Sequence, residues 1–398
     1  MKKAIYFLSL FVITFVTCCS SGEQSSDSLN EDWKIRIDPN SRDREKLMLS
    51  DIIDSITYIP LETNDNCLLS TIYDNDFISS ENYILLKSTV DYKIYLFDQT
   101  GHFIAKIGDV GAGPGEYLRY SAQLARIDEK NNHLIIFATH PKRIMYYDLK
   151  GNFIKTIPLP HEDNTGIISY HQSFYLQKNE NYGRVQYTYT VLDTDFNIIK
   201  KNVMPLQYSW KGQILHPQSL FCQYTYNDHV YSKETLLNDT LYVINDDFSF
   251  IPKYIINSGK YEVTVNVRSD ADRFFKEFRN KVILLSMFET DDYLFILYQY
   301  QNKNIPCYYN KKENKLIHIV SSSSGIPNDF DGGLDFWPDY QNNKKLISFY
   351  DAYLLVEHKK NHNKFELQGG KETEKHFDQM IQKLAPNDNP VMVIVTLK

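Results

Sequence analysis

Two stretches of the chain carry the same pattern of apolar and polar positions. KIYLFDQTGHFIAKI at 93–107 and RIMYYDLKGNFIKTI at 143–157 align without a gap, so Ile94 matches Ile144, Asp98 matches Asp148, Gly101 matches Gly151 and Phe103 matches Phe153, each 50 residues on. Each copy reads as a strand, an Asp-x-x-Gly turn and a second strand alternating as Phe-Ile-x-x-Ile, with Gly101 and Gly151 free to take positive φ. Downstream, TYTVLDTDFNIIKK (188–201), DTLYVINDDFSFIPKYII (239–256) and PCYYNKKENKLIHI (306–319) keep the apolar, polar, apolar order but lose the glycine. With Asp98, Asp148, Asp193, Asn245 and Asn310 as equivalent turn residues, the spacings are 50, 45, 52 and 65. The last interval has room for an insertion, and SDADRFFKEFRNKV (269–282) fits a short helix: Asp270 or Asp272 can cap it, and Phe274, Phe275 and Phe278 fall on one stripe.

A hairpin that recurs about every 40–50 residues is the mark of propeller blades. The strand pattern at 54–63 carries Pro60 near its end and suits an edge awaiting a partner; ENYILLKS (81–88) and the hairpin at 93–107 complete a first blade. HLIIFAT (133–139) and the next hairpin make the second, and a sixth can be assembled from KLISFYDAYLLVEHKK (345–360) with the terminal strand PVMVIVTLK (390–398). Between these, ETEKHFDQMIQKL (372–384) has Phe377, Met380, Ile381 and Leu384 at helical spacing and reads as a helix packed on the rim. Sheet edges invite aggregation, and pairing the strand near each chain end within one blade would close the ring. The expected fold is all-β: a six-bladed β-propeller with terminal-strand closure and one or two short peripheral helices.

Composition agrees. Of 398 residues 42% are hydrophobic, with 30 Tyr and 23 Phe, which supplies a large core and favours strands. The net charge of −7, with no basic face in the repeats, argues against a nucleic-acid partner.

Charge and hydropathy change the picture most at the N-terminus. Lys2 and Lys3 precede an apolar run at 4–16, too short for a reliable membrane span and laid out as a secretory signal. VTCCSS at 16–21 resembles a bacterial lipobox, with Cys19 as the lipidated residue and Cys18 as the alternative. Residues 20–30 are small and polar, as a tether should be, and Asp27-Ser28-Leu29 resembles a short O-glycosylation acceptor. The domain reading is therefore a signal peptide at 1–18, lipidated Cys19 and a flexible tether at 19–46, and a propeller at 47–398. Cys67, Cys222 and Cys307 are too few and too scattered for a disulfide framework; they read as core residues, or as one bridge and a free thiol.

YIPLET (58–63), GAGPGEY (111–117), DGGLDFWP (331–338) and DNPVMVIVTLK (388–398) resemble the corresponding motifs of the six-bladed β-propeller lipoproteins of Gram-negative bacteria, an NHL-like propeller family. The resemblance spans about 47–398. It implies that fold and an extracytoplasmic address, lipid-anchored to the outer membrane on its periplasmic or cell-surface side, and it carries no general activity onto residues here.

No complete catalytic constellation is present: a G-x-S-x-G elbow, H-E-x-x-H and paired zinc cysteines are all missing from the sequence. The run of Gly111, Gly113, Pro114 and Gly115 lacks the Lys-Ser/Thr of a phosphate loop and reads as a tight blade-to-blade crossing. Glu116 and Arg119 can pair with each other or present charge. Asp329, Asp331 and Asp335 surround two glycines beside Trp337, a cluster that can form a solvated turn, hold Ca²⁺ or offer a sugar platform; no other cofactor is implied. The ligand-binding candidates are Glu116, Tyr117, Arg119, Asp331, Asp335 and Trp337, with Trp337 as apolar platform and the charges as orienting groups. Two function classes follow. One is a monomeric, membrane-tethered, non-catalytic module binding a glycan, peptide or protein; the other is an extracytoplasmic hydrolase, lyase or lactonase-like enzyme with a metal or carboxylates in the pore. The missing constellation favours the first, while propeller active sites draw on several blades and leave no local motif.

Cys19→Ala is expected to release the protein into soluble fractions or stall its processing, because no other segment is apolar enough to hold it. Fractionation that finds the variant membrane-bound and normally processed would remove the lipoprotein reading.

Overall fold

The computed structural model describes residues 34–70, 72, 76–159, 168–171, 173–178, 187–203, 221–234, 239–321, 325–361 and 367–398. The leader, Cys19 and the tether up to residue 33 lie outside them, as does the side chain of Cys222.

The chain builds antiparallel four-strand meanders one after another. Phe77–Ser79, Tyr83–Lys87, Ile94–Asp98 and Phe103–Ile107 form the first. Ala122–Asp128, His133–Thr139, Lys142–Tyr147 and Phe153–Pro158 form the second. Ile168–His171, Phe174–Lys178, Tyr187–Leu192 and Ile198–Val203 form the third. The fourth runs Phe221–Tyr226, His229–Glu234, Thr240–Ile244, Phe250–Asn257, and the fifth Ile283–Glu289, Tyr293–Tyr300, Lys303–Asn310, Lys315–Ile319. The last takes Tyr340–Asn342, Lys345–Tyr350 and Val391–Leu397 from the end of the chain and Ile53–Pro60 from its start. One parallel pair, Thr225 with Asn342, joins the fourth and last meanders into a single nine-stranded sheet. The architecture is mostly β and propeller-like.

The middle strands are apolar on both faces, and successive residues feed different cores. In the run Tyr83–Lys87, Ile84 and Leu86 pack with Ile347 and Met392 of the last meander, while Leu85 packs with Leu134 and Ile136 of the second. In the second, Ile135 and Phe137 turn toward Tyr175 and Leu192 of the third. Further cores join the third to the fourth (Val191, Val230), the fourth to the fifth (Leu241, Ile296) and the fifth to the last (Phe295, Val393). This is why the sequence shows continuous apolar runs rather than one wet and one dry face.

In the first four meanders the turns between third and fourth strands share one geometry; the Asn310 turn of the fifth departs from it, the Glu313 amide donating to the Asn310 side chain at 3.2 Å. The amide of the fourth turn residue donates to the carbonyl of the first in Gly101 to Asp98 (3.1 Å), Gly151 to Asp148 (3.0 Å), Phe196 to Asp193 (3.0 Å) and Phe248 to Asn245 (2.8 Å). That fourth residue is left-handed in every case, with φ of 88°, 85°, 65° and 61°. A Cβ on Gly101 would lie 2.3 Å from the Pro60 carbonyl oxygen and one on Gly151 2.7 Å from that of Lys106, so each glycine rests on the outer strand of another meander, the last for Gly101 and the first for Gly151. Where phenylalanine takes the position, its ring fills the space: Phe196 stacks on Tyr175 at 4.6 Å and Phe248 meets Phe174 at 5.2 Å. Packing there offsets a left-handed conformation that costs an L-residue roughly 1–2 kcal/mol.

Several expectations need correction. Of the stretch 345–360 read as blade strand, only Lys345–Tyr350 is one; its second half forms a helix, Ala352–Asn361, whose first turn bonds back to the Asp351 carbonyl and which buries Ala352 and Leu355, three apart. The terminal strand pairs with the one at 53–60, as expected, which puts the 54–63 segment in the last meander and leaves Phe77–Ser79 as the inner strand of the first. Part of the stretch read as tether is built in: Lys34–Arg36 pairs parallel to the outer strand of the fourth meander and Arg44–Glu45 to that of the fifth. The helix Ala271–Glu277 is capped by the Asp270 side chain, but Phe275 lies exposed while Phe274 stacks on Phe278. The helix Gly370–Lys383 buries Phe377 and Ile381 against Tyr58 and Val391, the rim packing its spacing implied. Cys67 and Cys307 are free, buried thiols.

Removing 390–398 strips the partner from Ile53–Pro60 and Lys345–Tyr350 together, so aggregation or loss of cooperative unfolding is expected; an equally stable, soluble truncation would refute this. Gly101→Ala should cost more stability than Gly259→Ala, about 2–3 against about 1 kcal/mol, since a Cβ on Gly259 meets nothing within 4 Å. Chemical denaturation of both variants decides it.

Candidate functional site

The first strands of the meanders face one another. Ala122–Asp128 touches both Phe77–Ser79 and Ile168–His171, and Phe221–Tyr226 touches Ile283–Glu289 and Tyr340–Asn342. Their polar side chains are used on each other. Ser169 Oγ donates to Gln223 Oε1 (3.2 Å) and meets His171 Nε2 (3.0 Å), which also contacts Gln223 Nε2, while Gln123 Oε1 accepts from the Ile168 amide (3.2 Å). Burial pushes His171 down to about 4, leaving a neutral ring at pH 7. On the other side, buried Glu289 takes the Lys311 ammonium at 2.6 Å and the Tyr224 and Tyr254 hydroxyls at 3.1 Å each, and Gln341 clamps its backbone with bonds of 2.8 and 2.6 Å. These residues come from different strands, so no local motif announced them. Saturated hydrogen bonds make them fasteners between meanders.

The GAGPGEY stretch is a lock between the first two meanders. Asp109 and Val110 pair in parallel with Glu116 and Tyr117, closing the glycine-rich segment into a loop. Gly113 donates to Glu116 Oε2 (2.7 Å), Tyr147 Oη to the Gly115 carbonyl (3.0 Å) and Arg143 to the Glu116 carbonyl (2.5 Å). Gly115 is left-handed and a Cβ there would strike the Phe153 ring at 2.8 Å; Pro114, beside it, is exposed. Tyr117 is fully buried in the core below, so its ring has no route to a ligand. No ion pair joins Glu116 to Arg119 among the described residues. The Arg119 guanidinium lies 5.7 Å from the centre of the Tyr92 ring, and Tyr92 meets Tyr120 at 4.3 Å. Both tyrosines are left-handed, with φ of 61° and 65°, yet Tyr120 is 72% exposed.

The DGGLDFWP stretch turns inward. Asp329 accepts from the Ser50 amide and hydroxyl at 3.0 and 2.7 Å, and Asp335 from the Asn328 amide at 3.4 Å. Asp331, 1% exposed, accepts from Asn328 Nδ2 (2.8 Å) and the Gly333 amide (2.9 Å); burial pushes its carboxyl up while those bonds pull it down. Gly333 is required there, because a Cβ would lie 2.3 Å from the Tyr58 hydroxyl. His358 and Leu367 cover Gly332 from the C-terminal segment. Trp337 is packed edge-on against Phe288 at 5.2 Å, and its indole N–H donates to Ser286 Oγ at 2.7 Å. Its platform role is thereby corrected: the ring is part of the core between the fifth and last meanders. Among the described residues no group of three or more His, Cys, Asp or Glu is placed to hold a metal ion. The six candidates thus separate into a first–second lock and a fifth–last wedge, and only Arg119 among them stands exposed without a polar partner among the described residues.

The family described as "Domain of unknown function (DUF4934)" matches residues 34–396. No curated protein matches the chain. Among solved structures, a Bacteroides fragilis protein described as exported is similar with a TM-score of 0.65 and 15% identity, over 92% of this chain and 99% of that one. A member of the DUF4221 family from Bacteroides vulgatus gives 0.45 and 11%, over 87% and 97%, and virginiamycin B lyase from Staphylococcus aureus 0.38 and 9%, over 86% and 99%. Among the described residues no helix is long and apolar enough to cross a membrane.

Trp337→Ala should destabilise the protein by about 2 kcal/mol, less than a fully buried tryptophan because the residue is only partly buried, and leave Ser286 without its donor. An unchanged thermal midpoint would return Trp337 to the list of surface groups.

Proposed function

We propose a function from one premise: the chain belongs to the family described as a domain of unknown function (DUF4934). The protein acts as a lipid-anchored, extracytoplasmic, six-bladed β-propeller of the outer membrane that binds a glycan, peptide or protein partner and does not transform it. Six interlocked cores, each shared by two successive meanders, and the pairing of Val391–Leu397 with Ile53–Pro60 support a closed ring of six blades. The apolar leader ending at Cys19 and the likeness to a protein described as exported support the address.

The observation that carries the binding role is a contrast. Ser169, Gln223 and Glu289 on the facing first strands are held by neighbouring protein groups, whereas the loops at 88–93 and 118–121 carry an exposed guanidinium, Arg119, and an exposed ring, Tyr120, packed beside Tyr92. Loops set on a rigid scaffold are where contact surface belongs.

The test is a binding panel of soluble polysaccharides and peptides offered to the purified chain, followed by mass analysis of whatever is retained. A retained ligand of unaltered mass is expected. Shortened chains or newly unsaturated ends would replace this reading with a hydrolase or a lyase.

A further inference from the structure

The geometry points to a carboxylate-bearing sugar, a uronic-acid residue of an acidic glycan, as the ligand of a shelf formed by Tyr92, Arg119 and Tyr120; this rests on the reading of the chain as a binding module. Tyr92 belongs to the loop joining the second and third strands of the first meander, Tyr120 to the segment leading into the second. Their rings lie 4.3 Å apart at an angle of 59°, an open V on the surface, bordered by Val90, 70% exposed, and Leu118, 42% exposed.

Two features separate this patch from ordinary exposed side chains. The first is backbone strain without burial. Phe196 and Phe248 hold left-handed conformations because their rings are packed, but Tyr120 holds one with its ring in water, and strain kept at a surface residue marks a conformation maintained for contact. Both loops are fixed from below. Val90 N donates to Ser70 Oγ (3.1 Å), Tyr92 N to the Ser88 carbonyl (2.9 Å), Ser121 Oγ to the Leu118 carbonyl (2.7 Å), and Thr139 N to the Ser121 carbonyl (3.0 Å). The shelf is therefore preorganised.

The second is charge. Two carboxylates by the Tyr92 loop carry lysine partners, Asp76 with Lys87 at 2.6 Å and Asp91 with Lys93 at 3.2 Å. Arg119 makes no ion pair or hydrogen bond among the described residues, so its planar fork is free to take a carboxylate in two parallel bonds. The exposed face of the Tyr120 ring suits the C–H face of a pyranose, whereas a peptide side chain needs a pocket to enter, and this ring stands open to water in its place. Ring face and carboxylate together select a uronate.

The full mature chain is titrated with galacturonic-acid and glucuronic-acid oligosaccharides, their carboxyl-reduced neutral forms, and a polyglutamate peptide. One of the uronates should bind, about tenfold or more tighter than its reduced form. Arg119→Gln should bring its affinity down to that of the neutral sugar. Tyr120→Gly relieves the left-handed strain, so it should raise the thermal midpoint while lowering affinity about tenfold, a combination that a purely structural tyrosine would not give. Uronate binding unchanged in both variants would overturn the site while leaving the binding-module reading intact. Polyglutamate bound in preference, and lost in the variants, would overturn the ligand class in favour of an acidic peptide. Failure of the wild-type chain to bind either uronate would also overturn the inference, whatever the wider panel retains.

Discussion

A four-stranded sheet that is apolar on both faces cannot stand in water, and that constraint governs the molecule. Ile84, Leu85 and Leu86 follow one another in sequence and are all fully buried, which requires a covering sheet on each side of theirs. The same demand recurs in every meander, so each core is owned by two neighbours and none is complete alone. The first and last meanders satisfy it by sharing Phe77 and Met392, and the strand Ile53–Pro60, delivered from the chain's start, gives Val391–Leu397 its outer partner. The chain ends are thus tied by hydrogen bonding and by a core at once.

The left-handed turn residue is the second level of the same design, because it sets how closely successive meanders approach. Glycine permits contact of the turn with the backbone of Pro60 or Lys106, and phenylalanine spaces it by a ring. This also explains what was legible in the sequence. The repeat was plain at Gly101 and Gly151, where the turn depends on an atom that is missing and only one residue type serves. It faded at Phe196 and Phe248, where packing supplies what the backbone lacks, although Asp193 and Asn245 kept the hydrogen-bonding role that marks the turn. Local chemistry persisted while its most visible token changed.

Loop chemistry was harder to read because composition does not say which way a side chain turns. Glycine, acid and aromatic residues at 331–338 have the makings of a contact surface, yet the tight turns that glycine permits brought Asp331 and Trp337 under the C-terminal helices and against the fifth meander. Tyr117 was drawn inward in the same way, one residue before the chain emerges. Helix formation at 352–361 followed from tertiary context: one face of that run had Phe377 and Tyr350 to pack on, and a strand would have put half its apolar residues elsewhere.

Strain and burial together distinguish the two uses of an aromatic residue in this protein. Phe196 and Tyr120 share a left-handed φ of 65° and have opposite exposure. For Phe196 the ring contacts repay the conformation locally, so stability alone accounts for it. Tyr120 has a ring contact with Tyr92 at 4.3 Å yet leaves most of its ring in water, and the supporting hydrogen bonds run through the backbone of Ser121 beside it. A scaffold fastened by saturated polar networks at its centre can tolerate such a residue at its surface, because the loops that hold it are anchored to strands whose positions are fixed from both sides. Rigidity of the shared cores is what lets a preorganised shelf stand outside them.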